Sequence, residues 1–240
     1  MVPPIRGLLL DAGGVLYFPV GGRWNPRLDF EGVVARFSPA HDPARDPVRF
    51  AAAVAAGDRY LNEAQGTGSR EDYHRAVLAA LGIDDPPAAL LAELERPLDY
   101  PVLELFPEVH RVLTEIRRRG FPIAIVSDND RGAEKGFDWL GLTQYIDAHA
   151  ISGNLGCCKP DPRMYAAGSR GIGVPPGECL FVDDDHELVE AAVALGYQGV
   201  ALGRTLPHPP ARVPWIESLE GVLDWLPPTS IGGDRAKPGA

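Results

Sequence analysis

Two kinds of apolar pattern alternate along this 240-residue chain. Short unbroken runs stop on polar residues, and longer segments repeat apolar positions every three to four residues. Leu8-Leu9-Leu10 is a run of the first kind and reads as a buried strand ending on Asp11. Phe121 to Val126 ends at Ser127, Cys179 to Val182 ends on Asp183-Asp184-Asp185, and Gly199 to Leu202 closes the series, with a weaker run over Tyr145 to Ile151. The intervening segments predict helices at Pro107 to Arg119, from Ala133 to Leu140, at Pro162 to Gly171 and at Leu188 to Leu195, the last stopped by Gly196. Successive β-α units of this kind predict an α/β protein, a doubly wound parallel sheet with helices on both faces. A Pro-rich turn and an amphipathic helix near Ile216 to Leu226 follow.

Between Pro19 and about Pro101 there is no convincing run of β-branched residues, but several helical patterns. Ser69 is a good N-cap, with Asp72 three residues on and a stripe of Tyr73, Ala76, Val77, Ala80 and Leu81 before Gly82. Phe50, Val54, Tyr60 and Leu61 form a similar stripe in Pro47 to Ala64, and Pro87 to Arg96 is a short Ala/Leu helix. The expected organisation is an α/β core over residues 1–18 and 102–226, a helical insertion over 19–101 and a flexible Pro/Gly tail over 227–240.

Composition narrows the partners. With 23 Lys and Arg against 33 Asp and Glu, the net charge of −10 disfavours nucleic acid and anionic membranes, while a local site can still take a small anion. Cys157, Cys158 and Cys179 make no disulfide framework and have no zinc spacing, which suits a reducing cytoplasm. Neither a membrane-spanning run nor a signal-peptide pattern is present, so a cytoplasmic location is expected. The chain is expected to be a monomer or a homodimer, its oligomeric state otherwise open.

Three strands end on reactive groups: Asp11, Ser127 and Asp183 to Asp185. In a doubly wound sheet these ends share one crevice. The loop Gly156-Cys157-Cys158-Lys159-Pro160-Asp161-Pro162 adds a lysine before a helix. Carboxylates brought together repel unless a cation lies between them, and their oxygens suit Mg2+. A lysine and a hydroxyl would neutralise phosphate oxygens while one carboxylate attacks phosphorus. Bland roles suit the remaining candidates. The six histidines read as surface or locally bonded residues, and Arg117 to Arg119 as a solvated, dipole-favoured last helical turn. Trp24, Tyr17 and Tyr73 read as core of the insertion, and Cys157 and Cys158 as packing residues.

Asp11-x-Gly13-Gly14-Val15-Leu16, strand-Ser127, Lys159-Pro160-Asp161-Pro162-x-x-Tyr165 and Phe181-Val182-Asp183-Asp184 with Glu190-Ala191-Ala192 following resemble the haloacid-dehalogenase-like (HAD) hydrolase superfamily. The insertion after the first motif resembles its C1-type helical cap, as in the branch that holds small sugar-phosphate phosphatases. The resemblance implies a Rossmann-like fold and a cap that closes over the substrate. It makes Asp11 the nucleophile and a metal ligand, with the Gly13 carbonyl, Asp184 and Asp183 completing the metal shell. Ser127 would bind the phosphoryl group, and Lys159 would hold both it and the nucleophile.

Three departures stand out. Gly13 occupies the place of the usual acid/base Asp, Leu188 that of a common polar residue, and Asp128 that of a frequent Asn. Asp128 is therefore either a phosphate-site residue and substitute acid or a turn-forming Asp. The resemblance implies a Mg2+-dependent phosphatase acting on a small phosphorylated metabolite through an aspartyl-phosphate. Two alternatives are a catalytically impaired binding protein and a 2-haloacid dehalogenase, against which the acidic pair argues.

Overall fold

The computed structural model describes residues 3–64, 68–96, 98 and 102–227. Beyond Pro227 the expected tail lies outside the described residues, as does Pro101 at the expected end of the insertion. The chain divides into two compact units, one of residues 1–17 and 105–240, the other of residues 18–104.

Strand β1 (Gly7–Leu10) opens the chain and β2 (Tyr17–Pro19) follows its loop. The unit of residues 18–104 supplies α1 (Phe30–Phe37), α2 (Pro47–Ala64), α3 (Arg70–Ala80) and α4 (Ala88–Glu95). Then come β3 (Leu103–Leu105), paired with β2, α5 (Val109–Arg118), β4 (Ile123–Ser127), α6 (Gly136–Trp139), β5 (Ala148–Ile151) and α7 (Ser152–Leu155). The chain continues through α8 (Pro162–Gly171), β6 (Cys179–Asp183), α9 (His186–Ala194), β7 (Gln198–Leu202) and β8 (Trp215–Ile216).

The main sheet has the order β5-β4-β1-β6-β7-β8 with every pairing parallel. Helices cover its faces, which is the Rossmann-like arrangement. Every residue of β1, β4 and β6 is buried, as continuous apolar runs in a parallel sheet require. Each buried Leu of β1 contributes about 1.5–3 kcal/mol over its exposed state. Strand order reverses at β1: the chain places β4 on one side of it and β6 on the other, so the crevice opens where β1 ends. Leu10 is level with Ile125 of β4 and Val182 of β6; Asp11 and Asp183 lie one residue beyond that level and Ser127 two, so the three share one sheet edge.

The C-terminal part differs from the expected helix over Ile216 to Leu226. Trp215 and Ile216 add a strand beside Ala201 and Leu202, so Gly199 to Leu202 is not the last strand. An unpaired sheet edge offers main-chain donors and acceptors, and the segment of Pro214 to Ile216 takes them: Ala201 N donates to Pro214 O at 2.9 Å and Gly203 N to Ile216 O at 2.9 Å. A 3₁₀ turn over Leu219–Asp224 follows, capped by Ser218 and burying Leu219 and Val222 at a three-residue spacing. The strand expected over Tyr145 to Ile151 starts only at Ala148, because Thr143–Tyr145 closes a 3₁₀ turn. The helix expected from Ala133 begins as a 3₁₀ turn over Ala133–Lys135.

In the unit of residues 18–104, helices α1 to α4 enclose a core that includes Phe30, Val34, Tyr73, Val77, Leu90 and Leu94. Ser69 caps α3 by accepting from Asp72 N at 3.0 Å. Helices α2 and α3 touch at Gly57, where a Cβ would come within 2.5 Å of Tyr73 and Val77. Arg27 pairs with Asp29 and donates through Nη1 to the carbonyls of Glu93, Leu94 and Arg96, so it satisfies the orphan carbonyls at the end of α4. Three aromatic and histidine expectations change here. Trp24 is half exposed, and Tyr17 belongs to the other unit. His74 is buried against Phe30 and Tyr73, with Nδ1 2.7 Å from Glu95 Oε1 across 21 residues of sequence.

Candidate active site

Asp11 is the first residue beyond β1. Its N–H continues the ladder to Val182 O at 2.9 Å, which keeps Asp11 in register with β6 at the sheet edge. Lys159 Nζ donates to Asp11 Oδ1 at 2.7 Å and to Asp183 Oδ2 at 2.7 Å, with the lysine side chain 3% exposed. Asp183 Oδ1 accepts from Asp185 N at 2.9 Å, so both oxygens of this buried carboxylate are engaged. Asp184 stands exposed beside the pair. Gly14 explains how Asp184 comes so close: a Cβ at Gly14 would fall 2.2 Å from Asp184 Oδ2, and its φ of +71° suits glycine.

Charge is concentrated here. Two carboxylates about 4 Å apart repel by about 4 kcal/mol at an effective dielectric of 20. Burial, and then Asp11, push the Asp183 carboxyl up; Asp184 is exposed as a residue, but its carboxyl packs against Gly14, and the desolvation of that end, and then Asp11, raise it too. Burial alone would lower Lys159, but Asp11 and Asp183 outweigh it and raise the ammonium, which therefore stays charged. Burial and Asp11 also raise Tyr17, whose phenol remains protonated.

Ser127 is buried at the end of β4, on the edge that carries Asp11. Asp128 accepts from Lys159 N at 3.0 Å, which ties the loop after β4 to the lysine loop, and burial raises its carboxyl despite Lys159. Gly13 forms an isolated bridge with Tyr17. Asp185 caps α9 by accepting from Glu187 N at 2.9 Å. His186 packs on Trp215, and Leu188 packs into the core while its carbonyl accepts from Tyr165 at 3.1 Å. The three thiols are free, and burial raises all of them, Cys158 to about 11, so none is an activated nucleophile.

Several supporting residues carry no local sequence signal. Ser152 Oγ accepts from Asn129 N at 2.9 Å and donates to Asn129 O at 3.0 Å, fixing the loop after Ser127. Asn129 Nδ2 reaches the Tyr17 hydroxyl at 3.4 Å. Arg204 reaches back 190 residues to the loop after Asp11. Only the mixed spacing of acceptor and donor residues across the whole chain encodes such pairs, and no motif window contains both partners.

Asp11, Asp183 and Asp184 each present an oxygen, all within 4.8 Å of one another. Three carboxylates against one ammonium leave a formal charge of −2, and hard oxygen donors of this kind suit Mg2+. The donor set thus fits the ion on its own chemistry.

The parallel sheet and a lysine-bridged acid cluster at its switch point define a Rossmann-like α/β protein with a charged site at the strand ends. A family model for haloacid dehalogenase-like hydrolases matches residues 5–196, and the chain belongs to that family. It is 31% identical over 134 residues to a phosphatase of Mycobacterium tuberculosis (55% of this chain, 62% of that one). It is 33% identical over 151 residues to phosphoserine phosphatase of Thermus thermophilus (60% and 59%). The chain thus spans about three fifths of the length of these relatives. The crystal structure of a HAD phosphatase from Thermococcus onnurineus superposes with a TM-score of 0.64 at 20% identity, over 95% of this chain and 100% of that one. L-2-haloacid dehalogenase from Xanthobacter autotrophicus gives 0.60 at 19%, over 91% and 96%. Both likenesses speak to the fold. Among the described residues no helix is long and apolar enough to cross a membrane.

Proposed function

We propose that this chain is a Mg2+-dependent phosphomonoesterase acting on a small phosphorylated metabolite. The observation that carries the proposal is the Lys159 ammonium held between Asp11 and Asp183, with Asp184 beside them, at 2.7 Å from each of the first two. Asp11, Asp183, Asp184 and the Gly13 carbonyl would hold the ion. When bound, it neutralises the carboxylates and the phosphoryl oxygens and so lets one anion approach another.

Lys159 fixes the rotation of the Asp11 carboxylate and stays charged throughout. An Asp11 oxygen attacks phosphorus, the Asp11 O–P bond forms, and the ester P–O bond breaks. The departing alkoxide takes its proton from water, since Gly13 supplies none. Water then attacks phosphorus, the Asp11 O–P bond breaks and inorganic phosphate leaves. Ser127, buried on the same edge, would donate to a phosphoryl oxygen. Missing acid/base help costs about a hundred- to ten-thousandfold for poor leaving groups and least for good ones. The names of the two phosphatase relatives add support, while a haloacid substrate would bring a further carboxylate to an acid-rich site with no extra cation. A phosphoester panel run with Mg2+ and with chelator is the test: phosphate release that needs Mg2+ and vanishes in Asp11→Asn is expected. Turnover by that variant, or chloride release from a 2-haloacid in chelator, would overturn the proposal.

A further inference from the structure

Arg204, just past β7, carries more loop contacts than a surface arginine. Its Nε donates to Gly14 O at 3.1 Å, Nη2 to Val15 O at 2.8 Å, and Nη1 to Glu108 Oε1 at 2.7 Å. The guanidinium carbon sits 3.3 Å above the centre of the Phe106 ring. Glu108 is itself nearly buried and also accepts from Leu219 N at 3.4 Å, so the far end of the clamp is anchored. Phe106 N donates to Leu16 O at 3.1 Å, adding a second hold on the same loop.

Gly14 and Val15 lie outside any strand or helix, so their carbonyls have no ladder partner. The planar fork of one arginine reaches both and a carboxylate at once, which a lysine cannot do. On its other side this stretch abuts Asp184, since the space a Gly14 side chain would take is filled by that carboxylate. Displacing the main chain at Gly14 therefore changes the distance between the Gly13 carbonyl and Asp184.

We infer that Arg204 is a positioning residue: by gripping Gly14 and Val15 it holds the nucleophile loop at the spacing from Asp184 that a divalent cation requires. The inference rests on the metal-dependent reading above and adds a residue that the four motifs do not contain. Glu108 and Phe106 act through Arg204, by orienting its guanidinium.

The test measures binding of Mn2+ to the full chain by calorimetry, apart from turnover, in wild type and in Arg204→Lys, Arg204→Ala and Glu108→Gln. Outer-shell partners of this kind are worth about 10–100-fold in metal affinity. Arg204→Ala is expected to lose that factor, Arg204→Lys to recover little of it, and Glu108→Gln to show a smaller loss in the same direction. With an aryl phosphate at saturating substrate, the Mg2+ concentration for half-activation should rise by a similar factor while substrate KM moves less than about twofold. Should Arg204→Ala fail to fold, Arg204→Lys and Glu108→Gln carry the comparison. Unchanged Mn2+ affinity in the folded variants, with only a lower Tm, makes Arg204 a purely structural residue and overturns the inference alone. A wild type that binds Mn2+ but hydrolyses no phosphoester overturns the proposed function and leaves this inference standing. A wild type that binds no divalent ion overturns both.

Discussion

Replacing Lys159 by Met removes the cation between Asp11 and Asp183 while keeping an apolar stem of similar length. Two charge-assisted hydrogen bonds of 2.7 Å disappear, each worth about 1.5–3 kcal/mol. Breaking a buried ion pair from one side costs about 3–5 kcal/mol, because the partner charges stay buried. A loss of about 4 kcal/mol is therefore expected in chelator near pH 8, a large share of the roughly 5–15 kcal/mol that holds a domain folded. The penalty depends on pH, and its sign follows from Asp183. That carboxyl is raised by burial and by Asp11 even with Lys159 attracting it. Without the lysine it rises further, so the folded variant binds a proton that the unfolded chain, with its carboxyls near pKa 3.9, does not. Protonation replaces the missing cation, and the destabilisation should shrink to about 2 kcal/mol near pH 5 and grow as pH rises. Magnesium should reverse part of it near pH 8 by restoring positive charge among the carboxylates. Urea unfolding followed by tryptophan fluorescence, at both pH values and with Mg2+ or chelator, measures all four conditions. A penalty of one size across pH and indifferent to Mg2+ would refute the electrostatic account and leave packing as the cause.

Three further outcomes are expected. Gly14→Ala should cost about 1–2 kcal/mol for its left-handed backbone and also weaken Mg2+ binding by displacing Asp184. Gly22→Ala, at φ +78° with nothing within 4 Å, should show a backbone cost alone when both are compared by calorimetry. Gly13→Asp should restore a proton donor and raise kcat for alkyl phosphates by up to about a hundredfold, with a far smaller gain for aryl phosphates, as steady-state assays on both classes would report. Arg27→Met should destabilise the unit of residues 18–104 by about 2–3 kcal/mol in thermal melts, because three carbonyls at the end of α4 and the Asp29 carboxylate lose the Arg27 guanidinium as a donor.

By itself the sequence determined the parallel α/β core and the four groups of the cluster, because those features are written locally. Apolar runs specify the strands, and Asp11, Ser127 and Asp183 are the residues at which the runs stop. Ser69 and Gly82 likewise mark α3 within a few residues of its ends. A doubly wound sheet then carries all such stops to one edge without further information. Tertiary structure alone decided what depends on pairing across the chain. Trp215 and Ile216 became a strand because β7 left an open edge, overriding a helical pattern. His74 became buried because Glu95 arrived 21 residues later to meet it. Tyr17, on the border of the insertion, joined the other unit near Asp11. Arg204 met Glu108 and the Gly14 loop across 96 and 190 residues. Each of these outcomes turns on a hydrogen-bond partner distant in sequence, and such a partner leaves no periodicity for the chain to display.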